Sequence, residues 1–113
     1  MKIIKEQITV EELKEMSQKM FGNIVKAVVD VEKEIMAVDG ELHADEEMLL
    51  TEDGSKRENV WGINFHLNDL GNDFVEFDSM INLKPHLGNR TRGVDNEETR
   101  KKIIEVVNKL VKK

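Results

Sequence analysis

Cysteine is absent from the 113 residues, which excludes disulfides, thiolate metal sites and thiol nucleophiles. Proline occurs once, at Pro85, so there is no proline-rich linker. Tyrosine is missing and tryptophan single, which leaves few platforms on which nucleic-acid bases could stack. No apolar run is long enough for a membrane span. The first residues, Met1-Lys2-Ile3-Ile4-Lys5-Glu6, reach a carboxylate before any apolar stretch, unlike a signal peptide. What is present is 39% hydrophobic and 35% charged, too apolar for a disordered acidic tail and too charged for a membrane protein. These values predict one soluble cytoplasmic domain over residues 1–113, able to bury roughly two-thirds of the surface it exposes when unfolded.

The formal net charge of −6 is unevenly spread. Residues 1–29 carry +1, residues 30–58 carry −8, residues 59–83 carry −4 and residues 84–113 carry +5. An acidic middle and a basic last quarter can attract a second copy of the chain, or pair with each other inside one fold. The basic quarter could touch phosphates, but the pI near 5.1 argues against nucleic acid as a partner.

Helical signals are strongest at the two ends. Thr9-Val10-Glu11-Glu12 has the form of a capping box, Ile8 and Leu13 stand at the positions of a hydrophobic staple, and Gly22-Asn23 supplies a stop, predicting a helix over 9–21. Ile103, Ile104, Val107, Leu110 and Val111 form an apolar stripe behind Asp95-Asn96-Glu97-Glu98, read as a second capping box with Asp95 as cap. Between them the β-branched density of Val25–Val31 predicts a strand, then a turn at Glu32-Lys33-Glu34 and a strand over 35–43. Asp39-Gly40 is a bulge in that strand or a turn that cuts it short. Asp45 suits the N-cap of a short helix over 46–53, with a hairpin at Asp53-Gly54 as the alternative. Val60–Leu67 reads as a strand with Trp61, Ile63, Phe65 and Leu67 on one face, and 74–84 as its return strand, ended by Pro85. No internal repeat or low-complexity segment interrupts the pattern. The expected fold is a two-layer α+β arrangement: an antiparallel sheet with N- and C-terminal helices packed on it and one short central helix.

An ordered set of short motifs runs through the chain: Val28-Val29-Asp30-Val31-Glu32, Gly40-Glu41-Leu42-His43-Ala44-Asp45-Glu46, Glu52-Asp53-Gly54-Ser55, Trp61-Gly62-Ile63-Asn64, Phe77-Asp78-Ser79-Met80-Ile81-Asn82 and Gly88-Asn89-Arg90. From about residue 24 onward it resembles an uncharacterised family of small bacterial and archaeal proteins, a domain of unknown function. The resemblance implies no activity, cofactor or partner, so any site has to come from residue chemistry.

Three groups could carry chemistry. His43 and Asp45, two residues apart, would share a face if they stood on a strand, and Asp30 and Glu32 could approach them across the hairpin. One imidazole with several carboxylates can act as an acid–base pair or hold a cation, although no recognised metal-ligand spacing is present. The plainer reading is a set of surface charges with His43 packing or capping the helix after it. The loop 88–93 sets Asn89, Arg90 and Arg92 between two glycines ahead of a helix, which suits an anion, but it lacks the Lys-Ser/Thr ending of a nucleotide P-loop. There the plainer reading pairs the arginines with acidic residues. Asn64, His66, Asp78 and Asn82 could cluster on a polar strand face, and Ser79 has no sequence-identifiable triad.

Two functions follow as expectations. The first is a non-enzymatic interaction protein that self-associates as a homodimer. The second is an enzyme or ligand-binding protein for an anionic or metal-bound small molecule, using His43/Asp45 and the Arg90/Arg92 loop. The sequence specifies no cofactor, substrate or reaction.

Overall fold

A computed structural model describes residues 1–113. In chain order the elements are β1 (Lys2–Ile4), β2 (Ile8–Thr9), α1 (Val10–Met20), β3 (Ile24–Asp30), β4 (Ile35–Val38), α2 (His43–Glu52), β5 (Val60–His66), β6 (Val75–Glu76), α3 (Glu97–Leu110) and β7 (Val111–Lys112). Three 3₁₀ turns, Arg57–Asn59, Met80–Asn82 and Pro85–Leu87, lie between them.

The valine-rich segment is the centre of the sheet. β3 pairs with β5 along its whole length, from Ile24 opposite His66 to Asp30 opposite Val60, and with β4 on its other side. Adding β1 and β6 at the edges gives the order β1-β4-β3-β5-β6, with every neighbouring pair antiparallel. Because side chains alternate across a strand, β3 feeds two cores. Val25, Ala27 and Val29 join Trp61, Ile63 and Phe65 beneath Leu13 of α1 and Ile103, Val107 and Leu110 of α3. Val28 faces the other way, with Ile35, Ala37 and Val60, and is covered by Leu50 of α2. The fold is thus the expected α+β sheet with both terminal helices on one face, but the central helix roofs the opposite face, so there are three layers where two were expected. A strand buried on both sides reads as continuously apolar, which is why 24–31 shows no alternation. At about 1.5–3 kcal/mol for each fully buried Val, Leu, Ile or Phe, the core under α1 and α3 is the main source of stability.

The helix start predicted at Thr9 is present in full. The Glu12 amide donates to Thr9 Oγ1 at 3.1 Å, and the Thr9 amide donates to Glu12 Oε1 at 3.3 Å. Ile8 and Leu13 are both buried. β2 continues into α1 and pairs in parallel with β7, which continues out of α3, so a two-stranded seam joins the outer ends of the two helices.

Elsewhere the chain departs from its sequence reading. The strand expected over 35–43 stops at Val38, because Asp39 adopts φ +69° and turns the backbone off the sheet. Asp39-Gly40 is therefore the turn that cuts the strand short. The central helix begins at His43, three residues before the expected start, which settles helix over hairpin. Leu42 occupies the cap position without a side-chain bond, and Asp45 lies exposed inside the first turn. The return strand expected over 74–84 pairs only at Val75–Glu76. The cap of α3 is Asn96, whose Oδ1 accepts the Thr99 amide at 3.0 Å, and not Asp95.

Candidate functional site

Placing His43 on a helix changes its relation to Asp45. Residues two apart on a helix point to different sides, and here His43 is buried while Asp45 is exposed. His43 Nε2 lies 2.8 Å from the carbonyl oxygen of Ile63. A carbonyl only accepts, so Nε2 carries the hydrogen and the ring is committed to the sheet. Burial pulls the His43 pKa below its ordinary value, outweighing the opposing effect of the bond to Ile63. Asp30, at the far end of β3, serves the turn after it. Its Oδ1 accepts the amides of Glu32 (2.9 Å) and Lys33 (3.0 Å), and its Oδ2 accepts Ser55 Oγ at 2.6 Å. The Glu32 carboxylate accepts from Asn59 Nδ2. His43, Asp30 and Arg90 have disjoint hydrogen-bond partners, and none of them lines a principal cleft.

Beside His43 the same helix buries Glu46 completely. Glu46 Oε2 accepts the Gly40 amide at 2.9 Å, while Oε1 has no partner. The charged groups around it are Lys26, Asp39 and the N-terminal ammonium. Burial dominates and pushes its pKa up to about 9, so this carboxyl is neutral at pH 7. Glu46 lies in the first turn of α2. Its burial has no local signal, since it follows from how Gly40 folds over it.

The polar strand face forms only in part: Asn64 and His66 meet at Glu76, while the Asp78 carboxylate pairs with Arg92. Asn64 Nδ2 donates to Glu76 Oε1 (2.9 Å) and lies 3.3 Å from the Asp78 carbonyl, and His66 Nε2 sits 3.1 Å from Glu76 Oε1. Hydrogen bonds from Asn64 and His66 hold the Glu76 carboxyl below its ordinary range. Asn82 turns instead to the backbone of Gly62, accepting its amide at 2.8 Å and donating to its carbonyl at 3.0 Å. The second hydrogen of the same amide nitrogen reaches Arg92 O at 2.9 Å.

Asn89 organises the loop that follows. It is buried, and its Nδ2 lies 2.7 Å from Asn82 O, 2.8 Å from Gly93 O and 3.2 Å from Thr91 O. Its Oδ1 accepts the Asp95 amide at 2.7 Å. Asp95 in turn accepts the Arg90 amide (3.0 Å) and Thr91 Oγ1 (2.6 Å), bonds that hold its carboxyl below the usual range. Arg92 pairs with Asp78 at 2.8 Å, as Lys109 does with Glu34 at 3.6 Å, so the basic end and the acidic middle meet within the fold. Of the loop residues, only the exposed Arg90 guanidinium is without a bonded partner.

Two concave regions flank the turn Arg57–Asn59. The larger, about 570 Å³, opens between that turn, Trp61, the loop at 87–89 and the start of α3. The smaller, about 220 Å³, lies between α2 and the segment 80–86 and is lined by Glu47, Arg57, Met80, Leu83, Lys84 and His86. Between them Lys84 is buried, its ammonium 5.0 Å from the centre of the Trp61 ring and donating to the Arg57 carbonyl. Burial lowers the Lys84 pKa. Neither region was visible in sequence, because each is assembled from three or four separate segments.

The chain is a member of the family described as a protein of unknown function, DUF5674, whose pattern it matches over residues 2–110. Neither the curated proteins nor the solved structures contain a significant match. No helix is long and apolar enough to cross a membrane.

Proposed function

We propose that this protein is a non-enzymatic interaction module that pairs with a second copy of itself, through the surface formed by residues 80–87 and the outer side of α2. The observation that carries this reading is the exposure of large apolar side chains on a pinned segment. Met80 is 63% exposed, Leu83 39% and Leu87 46%, and Met48 on α2 is 60% exposed. Asn82 and Asn89 fix the backbone beneath them, so little ordering entropy remains to be lost on contact. The groove around Met80 and Leu83 carries both signs of charge, Glu47 and Glu58 against Arg57. A two-fold dimer brings a patch against itself, and only a patch with both signs is its own complement. Adding the charges of a second copy across that rim favours the pair over a partner of uniform sign.

Sedimentation velocity from micromolar to millimolar protein tests this. A concentration-dependent dimer is expected, and Met80→Lys with Leu83→Lys should leave a folded monomer. A strict monomer at high concentration and low salt, or a dimer indifferent to both substitutions, overturns the reading.

A further inference from the structure

We infer that the 570 Å³ cleft beside Trp61 binds a small zwitterion with an apolar body, of the size of an α-amino acid or a dipeptide. Its volume lies inside the range of small-molecule sites, roughly 300–1,000 Å³. One wall is apolar, from Val31, Trp61 and Leu87. Asp95 lines the cleft too, but its carboxylate is taken up by the Arg90 amide and Thr91 Oγ1. The two remaining charges, of opposite sign, come from different elements: Glu58 from the 3₁₀ turn and Lys102 from the second turn of α3. They do not pair with each other, nor does either form an ion pair or hydrogen bond with any other residue of the chain. Asn96 spends its Oδ1 on capping α3, which leaves its amide N–H groups free at the cleft.

A cleft with a free carboxylate, a free ammonium and an amide donor around a hydrophobic wall is complementary to one arrangement of ligand charge. An ammonium goes to Glu58, a carboxylate goes to Lys102 and Asn96, and the body lies against Trp61 and Leu87. A simple anion would meet Glu58 unpaired, and a simple cation would meet Lys102 unpaired, so a ligand of one sign gains less than one carrying both. This site shares Glu58 and Leu87 with the self-association surface, but neither Met80 nor Leu83 lines it. It can be tested in the Met80→Lys, Leu83→Lys background as well as in the unmodified chain.

Trp61 is the sole tryptophan, so its emission and its indole N–H resonance report on the cleft directly. The probes are L-leucine and L-leucyl-L-leucine, each beside its N-acetyl form, which lacks the ammonium, and its C-terminal amide, which lacks the carboxylate. Saturable shifts of both Trp61 signals are expected with the zwitterions, and binding about tenfold weaker with either blocked form, as loss of a charge-assisted bond implies. Glu58→Gln should abolish the preference for a free amine and Lys102→Gln that for a free carboxylate. Both residues are exposed, so circular dichroism should be unchanged. The proposal is overturned if neither zwitterion moves the Trp61 signals, if blocked forms bind as well as free ones, or if Glu58→Gln combined with Lys102→Gln responds as the parent does.

Discussion

The side-chain amide of Asn82 occupies the place of a peptide group beside Gly62: it accepts that residue's N–H and donates to its C=O, as a neighbouring strand would. β6 has already ended at Glu76, so the edge of β5 at Gly62 is completed by a side chain rather than by backbone. The arrangement also explains why the 74–84 segment does not continue as a strand. Its bonding at this point is supplied from a 3₁₀ turn.

Asn82→Ala should therefore be among the most damaging single polar substitutions. It leaves the Gly62 amide and carbonyl without their side-chain partner and removes one of two donors from the Arg92 carbonyl, which keeps the Ser79 amide. With about 1–3 kcal/mol for each buried group left unpaired, and partial relaxation, a loss of roughly 2–4 kcal/mol is expected. Urea unfolding gives the value. Asn82→Asp should fail to rescue, since it can accept from Gly62 but has no N–H to return, and a loss within error of zero for either variant would refute the role.

Gly62 itself tolerates no side chain. A Cβ there would fall 2.5 Å from Ser79 Cβ, 2.6 Å from Ser79 Oγ and 3.2 Å from His43 Cδ2. Gly62→Ala should cost about 1–3 kcal/mol or more, because the obstructing atoms belong to a buried serine held by its own turn. Combining it with Ser79→Gly should recover part of that loss. A double variant no more stable than Gly62→Ala alone would show that the clash lies elsewhere.

Much of the scaffold was readable from local chemistry. The Thr9 capping box, the Ile8–Leu13 pair, the Val25–Val31 strand and the Ile103–Leu110 stripe each involve residues within a few positions of one another. The rest depends on contacts across the chain. Asn82 and Asn89 look in sequence like ordinary turn residues, yet each bonds backbone that the fold brings alongside. The His43–Asp45 idea required a strand through residue 43, and Asp39 at positive φ redirected that segment into α2. Helix α2 lacked an apolar stripe because its buried positions include His43 and Glu46 besides Leu50.

Glu46 makes stability fall as pH rises. Its folded pKa is raised to about 9 from 4.5, so between those values the unfolded chain has released a proton that the folded chain keeps. Stability is fullest below about pH 4.5 with respect to this group, and declines until about pH 9. Glu46→Gln keeps an acceptor for the Gly40 amide and removes the ionisation. It should raise the melting temperature more at pH 8 than at pH 5, corresponding to a few kcal/mol at most. An equal change at both pH values would contradict the buried neutral carboxyl.

His43 acts in the opposite direction on the acid side. Its lowered pKa means that the unfolded chain takes up a proton first as pH falls, so its contribution is present above about pH 6.5 and is lost below its folded pKa. In carbon-13 NMR the neutral ring should show the Nε2–H tautomer and be less protonated at pH 6.5 than an ordinary histidine. A normal titration curve would mean that the ring is not buried in solution.

The parallel seam of β2 and β7 joins residues 8–9 to residues 111–112. Such a clasp ties the fate of the first helix to that of the last, so loosening either strand of the seam unpins both helices.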